Sequence, residues 1–249
     1  MRKIANSFLA AMQFLTRLPV HKLGNPPPEG LAGAVVYFPV VGLVVGGGAV
    51  FLNCVLSPHV SRDVTVLLIL IYFVLVTGGL HEDALGDAAD GFGGGWDKSQ
   101  ILAIMRDSRI GSFGAIAITL SLLARFVLLT NAPKQELNAL LLTSQVLSRW
   151  SALPLGFLLA SAREDSGQGG RLASKISASS LAIGTILALI PVVSVFRTKA
   201  VWFILVAIFF TAVSGLYYKR KIGGVTGDCF GATTQITEVA IYMMGAVLA

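Results

Sequence analysis

The acidic residues carry the sharpest chemical signal in this chain. Of 13 Asp and Glu, six (Glu82, Asp83, Asp87, Asp90, Asp97 and Asp107) fall between residues 82 and 107. Their core reads GGLHEDALGDAADG over residues 78–91. On a helix, Asp83, Asp87 and Asp90 stand at i, i+4 and i+7 and share one face. Like charges at that spacing destabilise a helix, and an ionised carboxylate at a membrane boundary costs more still. A divalent cation removes both penalties. Hard oxygen donors suit Mg²⁺, Ca²⁺ or Mn²⁺, and phosphate chemistry favours Mg²⁺. A solvated acidic loop is the competing reading, but no Lys or Arg interrupts the stretch before Lys98. The expected ligands are Asp83, Asp87 and Asp90, joined by Asp228.

Around this core stand further candidates. His81 is either a boundary histidine or, beside Glu82 and Asp83, a general base or substrate contact. Gly93 and Gly94, within the Gly-rich run 91–95, permit φ > 0 and a phosphate cradle of backbone N–H groups. Trp96, which closes the run, reads as an interface anchor in preference to a stacking surface. In MRDSRIGSFG (105–114), Arg106 and Arg109 at i, i+3 would present two guanidinium forks to a diphosphate. Near the C-terminus, Asp228, Gln235 and Glu238 lie on roughly one helical face. Asp228 suits a helix start, and an intramembrane Glu238 is a functional candidate by default. Arg125 and Arg149 lie within apolar stretches and require partners, either acids such as Glu238 or substrate.

The elements that position these residues are membrane helices. The chain has 249 residues, 55% hydrophobic and only 13% charged, with mean hydropathy +0.77. Apolar stretches of spanning length recur. We expect an all-α, polytopic helical bundle, a single membrane-embedded domain over residues 1–249. About seven spans are expected, near 31–56, 64–80, 111–130, 137–160, 179–196, 200–218 and 232–248. An N-terminal helix that is retained, not cleaved, lies at or enters the interface. Residues 24–30 (GNPPPEG) and 163–177 read as loops. Cys54 and Cys229 lack metal-ligand spacing and predict no disulfide. The net charge of +6 contains no basic run longer than Lys219-Arg220-Lys221, so nucleic acid is not expected as a partner.

Seven spans with a cytoplasmic N-terminus would put 13 of the 19 Lys and Arg inside and 4 (Arg62, Lys134, Arg197, Lys199) outside, with Arg125 and Arg149 within spans. That bias places the site segments, 78–114 and 219–238, on the cytoplasmic face.

Three segments resemble those of the cobalamin synthase (adenosylcobinamide-GDP ribazoletransferase) family: GGLHEDALGDAADGFGGG (78–95), MRDSRIGSFG (105–114) and GGVTGDCFGATTQITE (223–238). The opening FLAAMQFLTRLPV (8–20) is also similar. The resemblance implies transfer of the adenosylcobinamide phosphoryl group from adenosylcobinamide-GDP to the hydroxyl of α-ribazole or its 5′-phosphate, with release of GMP. It implies Mg²⁺ as cofactor and residence in the bacterial inner membrane or an archaeal membrane, among lipid; a homo-oligomer is compatible. In that chemistry Asp83, Asp87, Asp90 and Asp228 would bind metal. His81, Glu82 or Asp83 would act on the incoming hydroxyl, and Arg106, Arg109, Gly93, Gly94, Gln235 and Glu238 would contact phosphate or substrate. Asp87-x-x-Asp90-Gly91 is similar to the opening of the CDP-alcohol phosphotransferase motif, which makes such an enzyme the alternative. A cation-coupled transporter is a third reading. It fits less well, because the acids crowd one membrane edge instead of the midplane and no repeat is present.

Overall fold

A computed structural model of the protein describes residues 2–20, 31–163 and 176–249. The expected loop at 24–30 lies outside the described residues, as do positions 164–175 of the expected loop at 163–177. The all-α expectation is met: the only β contact among the described residues is an isolated bridge between Ser161 and Val225.

The first helix, α1 (Arg2–Leu15), lays Ala10, Ala11, Met12 and Leu15 against the bundle. A short helix α2 (Leu31–Ala34) and a 3-10 turn lead into α3 (Phe38–Leu56). Then follow α4 (Arg62–Thr77), α5 (Leu80–Gly94), α6 (Lys98–Ile104), α7 (Ser112–Asn131), α8 (Leu137–Trp150) and α9 (Ala152–Leu158). The chain closes with α10 (Ala178–Phe196), α11 (Ala200–Ile222) and α12 (Gly227–Val247).

The break that makes the site is between α4 and α5. Gly78 and Gly79 both take left-handed φ, +67° and +71°, where a Cβ would be strained. The chain turns by 85° there. A Cβ on Gly78 would also strike the Arg17 side chain. Two adjacent glycines therefore turn α5 off the axis of α4, outside that span.

Contacts fix how the remaining helices shuttle. At one end, Asn53 meets Asn138 at 2.8 Å, Arg62 donates to the Leu129 and Ala132 carbonyls, and Lys199 bonds Glu136 and the Leu248 carbonyl. At the other end, α5 meets the start of α7, and Val225 pairs with Ala160 and Ala162. The stretch α10–α11 is a hairpin. A Cβ on Gly184 would stand 2.8 Å from Leu153, and one on Gly215 3.0 Å from Leu155. In a straight helix those glycines would be about 46 Å apart. The hairpin closes at Arg197, whose φ is +49°.

The runs α3, α4, α7, α8–α9, α10, α11 and α12 thus cross the bundle in alternating directions. By length and apolarity three stretches qualify as spans (Val35–Leu56, Ser112–Asn131 and Ala178–Ile222), or four if α4 with α5 counts as one. Against the seven expected spans, the bundle has seven runs, of which length and apolarity mark three to four stretches as spanning. Runs α8–α9 and α12 are more polar and are covered by their neighbours.

Polarity is arranged for lipid. Leu67, Leu75, Leu120, Leu123, Ile190, Phe209 and Leu216 point outward, while Arg125, Arg149, Gln145, Gln235 and Glu238 are buried. Charges sequestered inside with large apolar side chains outside is the pattern of a membrane protein.

Candidate active site

Helix α5 presents two faces with different chemistry. Leu80, His81, Asp83 and Ala84 line a cavity of about 230 Å³. Its other walls are Phe14 and Leu15 of α1, Phe38, Arg149, and Gly227, Asp228, Phe230, Gly231 and Thr234 of α12. Gly231 lets the helices meet, since a Cβ there would strike that of Ala84. Residues 83 and 228, 145 positions apart in sequence (228 less 83), thus share one cavity.

The carboxylates sense one another. Asp87 is pushed up to about 6, first by burial and then by the negative charges of Asp83, Asp228 and Asp90. Asp228 is raised by burial, opposed by the Arg163 guanidinium 3.3 Å away. Thr226 also donates to Asp228, and its Oγ1 caps α12 by accepting from the Cys229 N–H. Among the described residues no three His, Cys, Asp or Glu side chains are close enough to form a ready metal cage. Asp83 and Asp228 face one cavity, and Asp87 senses both without lining it.

Asp90 has another task. Its two oxygens accept from the Gly111 N–H at 2.7 Å and the Gly114 N–H at 2.9 Å. It caps the first turn of α7 from a neighbouring helix, a favourable place for an anion. A carboxylate so engaged has less capacity for a cation than Asp83 or Asp87.

Glu82 is one residue from the cavity wall and faces away from it. Its Oε1 accepts from Arg125 Nη2 at 2.9 Å and Gln235 Nε2 at 3.0 Å. Glu238 lies 3.6 Å from Arg125 and accepts from Tyr242, which in turn is bonded by Ser144. Ser121 donates to Gln235. Glu82, Gln235 and Glu238 therefore form a buried network that joins α5, α7, α8 and α12. None of the three, Glu82 expected to act on the hydroxyl and Gln235 and Glu238 to contact substrate, lines the cavity; their hydrogen bonds hold α5, α7 and α12 together.

His81 is 5% exposed, and neither ring nitrogen has a hydrogen-bond partner among the described residues. Burial, then Arg149 and Arg125, holds its pKa well below the usual value, so the imidazole is neutral with a free lone pair. Arg149, also buried, bonds Gln145 through Nη1 and forms the opposite wall of the cavity.

Two expectations are corrected. The run 91–94 is helical, and no glycine in 91–95 has positive φ. Gly93 and Gly94 allow close packing instead: a Cβ on Gly93 would meet Phe113 at 2.6 Å, and one on Gly94 would meet Ile104 at 3.4 Å. They form no phosphate cradle. Arg106 and Arg109 follow α6 in a turn, so they lack helical i, i+3 alignment. Arg109 is exposed and clasps Asp107 at 2.6 Å, holding that carboxyl down to about 2. Arg106 opens onto a different groove with Lys98 and Arg163. Trp96 is 92% exposed, which fits an interface anchor.

Sequence reasoning missed Arg163, which no local pattern marks. It left Arg149 undecided, although an arginine in an apolar helix was itself the signal.

A family model described as cobalamin-5-phosphate synthase matches residues 7–246. The chain is 36% identical over 248 residues to a protein of Leptospira interrogans named adenosylcobinamide-GDP ribazoletransferase, covering 96% of this chain and 94% of that one. Proteins of the same name from Shewanella piezotolerans (35% over 247 residues; 98% and 95% covered) and Vibrio vulnificus (33% over 239 residues; 95% and 94% covered) are similarly related. No solved structure matches.

Proposed function

The chain belongs to the cobalamin-5-phosphate synthase family, and from that membership and the acid-lined cavity we propose that it is an adenosylcobinamide-GDP ribazoletransferase. It joins the adenosylcobinamide phosphoryl group to α-ribazole or its 5′-phosphate at the end of cobalamin biosynthesis. The observation that carries this reading is the meeting of Asp83 and Asp228 at one cavity, with Asp87 coupled to both.

In this reading the acceptor occupies the cavity between Phe14, Phe38 and Phe230, with its hydroxyl toward the carboxylates. The hydroxyl oxygen bonds to the phosphorus that carries the cobinamide. The bond from that phosphorus to the bridging oxygen breaks, and the electron pair leaves with GMP. His81 takes the hydroxyl proton: it lines the cavity, is neutral and has neither nitrogen bonded among the described residues. Glu82, held by Arg125 and Gln235, keeps α5 in place.

Asp83, Asp87 and Asp228, which close on no cage among the described residues, are the residues that would hold a hard divalent cation: burial first, and then the charges of Asp83, Asp228 and Asp90, raise Asp87, and oxygen donors suit Mg²⁺. When bound, Mg²⁺ supplies charge neutralisation on the diphosphate. We place the protein in the bacterial inner membrane with these segments facing the cytoplasm, where the Lys and Arg bias puts them.

The test is turnover of detergent-purified protein with adenosylcobinamide-GDP and α-ribazole or its 5′-phosphate, with and without Mg²⁺. Chromatography should find cobamide and GMP in equal amounts, and only when Mg²⁺ is present. Nucleotide release from a CDP-alcohol in place of the corrinoid donor would overturn the proposal.

A further inference from the structure

We propose that the groove beside α6 is the seat of the leaving nucleotide, gripping the guanosine diphosphate end of the donor through Lys98, Arg106 and Arg163. This rests on the transferase reading above and assigns to that reaction a subsite that neither the acid cluster nor the cavity supplies.

The groove measures about 450 Å³, and Lys98, Ser99, Arg106 and Arg163 line it above an apolar floor that includes Leu102 and Ala162. Three cations face it and no acid does, among the described residues. Lys98 and Arg106 are exposed and make no ion pair among the described residues. Cations gathered in one concavity repel each other, and a polyanion relieves that repulsion.

Arg163 ties the groove to the chemistry. Its Nη2 lies 3.3 Å from Asp228 Oδ2, while its Nε is buried with no partner among the described residues. Lys98 closes the other side: its Nζ stands 3.7 Å from where a Cβ on Gly223 would sit. That turn leads directly into Asp228. The groove and the His81 cavity share no lining residue, and the Asp228–Arg163 pair stands between them. Displacement at phosphorus needs the entering and departing oxygens roughly in line on opposite sides. A cavity for the acceptor and a cationic groove for the departing phosphate, flanking one carboxylate, meet that need. As the bridging P–O bond breaks, negative charge grows on the GMP phosphate, where the cations lie.

The same phosphate chemistry is offered by anionic lipid headgroups at a membrane edge, so the experiment separates the two sources. Equilibrium binding of GDP, GMP and guanosine is measured on the full chain in phosphatidylcholine nanodiscs without metal, alongside donor and acceptor KM. Lys98→Gln and Arg106→Gln should each weaken GDP binding about tenfold, the order expected for one charged contact. Donor KM should rise in proportion, acceptor KM should hold, and guanosine binding should not change. Lys98→Arg and Arg106→Lys should recover most of the loss. Unaltered GDP affinity in the double variant overturns the groove. So does loss of GDP binding when phosphatidylglycerol replaces phosphatidylcholine, which would assign the cations to lipid. Should wild-type protein bind GDP through these residues yet make no cobamide, the reaction reading fails and the groove stands. Turnover with an unchanged donor KM in the double variant sinks the groove alone.

Discussion

His81 and Glu82 are neighbours in sequence but point about 100° apart around α5, and their variants should fail in different ways. His81→Ala removes a cavity-lining base whose ring nitrogens hold no bond among the described residues, so turnover should fall about a hundredfold or more while the thermal midpoint holds. Among the described residues, Glu82→Gln leaves the buried Arg125 with Glu238 at 3.6 Å as its one carboxylate, and breaking a buried ion pair costs about 3 kcal/mol or more. Its signature is a lowered midpoint in detergent. Wild-type turnover in His81→Ala would remove the histidine from the chemistry. Asp87 predicts a pH effect. Its folded pKa, pushed up to about 6 by burial and by Asp83, Asp228 and Asp90, exceeds the ordinary carboxylate value. The fold therefore carries no penalty while the group is protonated, and the penalty grows as pH rises from about 4 to about 6. The metal-free protein should lose stability across that window. Mg²⁺ should raise the midpoint more at about pH 7.5 than at about pH 5. Equal increments at both would place the ion away from Asp87.

At the scale of elements, α5 is held by close helix crossings and by what it caps. A Cβ on Gly86 would stand 2.9 Å from Ile118, and one on Gly114 would stand 2.9 Å from the Gly86 carbonyl oxygen. Asp90 then reaches across to cap α7. Asp90→Ala should cost about 1–2 kcal/mol, with Asp90→Asn between it and wild type, and the Mg²⁺ concentration needed for half-maximal turnover should hold in both. A rise in that requirement instead would make Asp90 a ligand first. The shared face of Asp83, Asp87 and Asp90 was legible because helical spacing alone sets it. The glycines after them were not, since propensity predicts a loop where packing of Phe113 and Ile104 makes a helix. The turn that separates Arg106 from Arg109 likewise depends on where α6 ends and α7 begins, and Arg163 meets Asp228 beside the pairing of Val225 with Ala160 and Ala162, a long-range contact.

At the scale of the whole molecule, the order of passes was legible, and the number of spans was not. Apolar runs mark α3, α7, α10 and α11. By contrast, α8 and α12 carry Gln145, Arg149, Gln235 and Glu238 on faces that other helices cover. Hydropathy cannot separate a pass through lipid from a pass through protein. The sidedness can be tested directly. Arg62, Lys199 and the α7–α8 turn that carries Lys134 gather at one end of the bundle, whereas Trp96, Lys98, Arg106 and Arg163 border the site at the other. Two single-cysteine probes report these ends on a Cys54→Ser background: Lys134→Cys, at an exposed position, and Trp96→Cys, where the native side chain is 92% exposed. Cys229 is buried and should stay silent. A membrane-impermeant maleimide applied to sealed spheroplasts should modify Lys134→Cys at once, and Trp96→Cys only after permeabilisation. The reverse pattern would turn the acidic cavity outward, away from any cytoplasmic supply of nucleotide-activated donor, and the proposed reaction would lose its substrate.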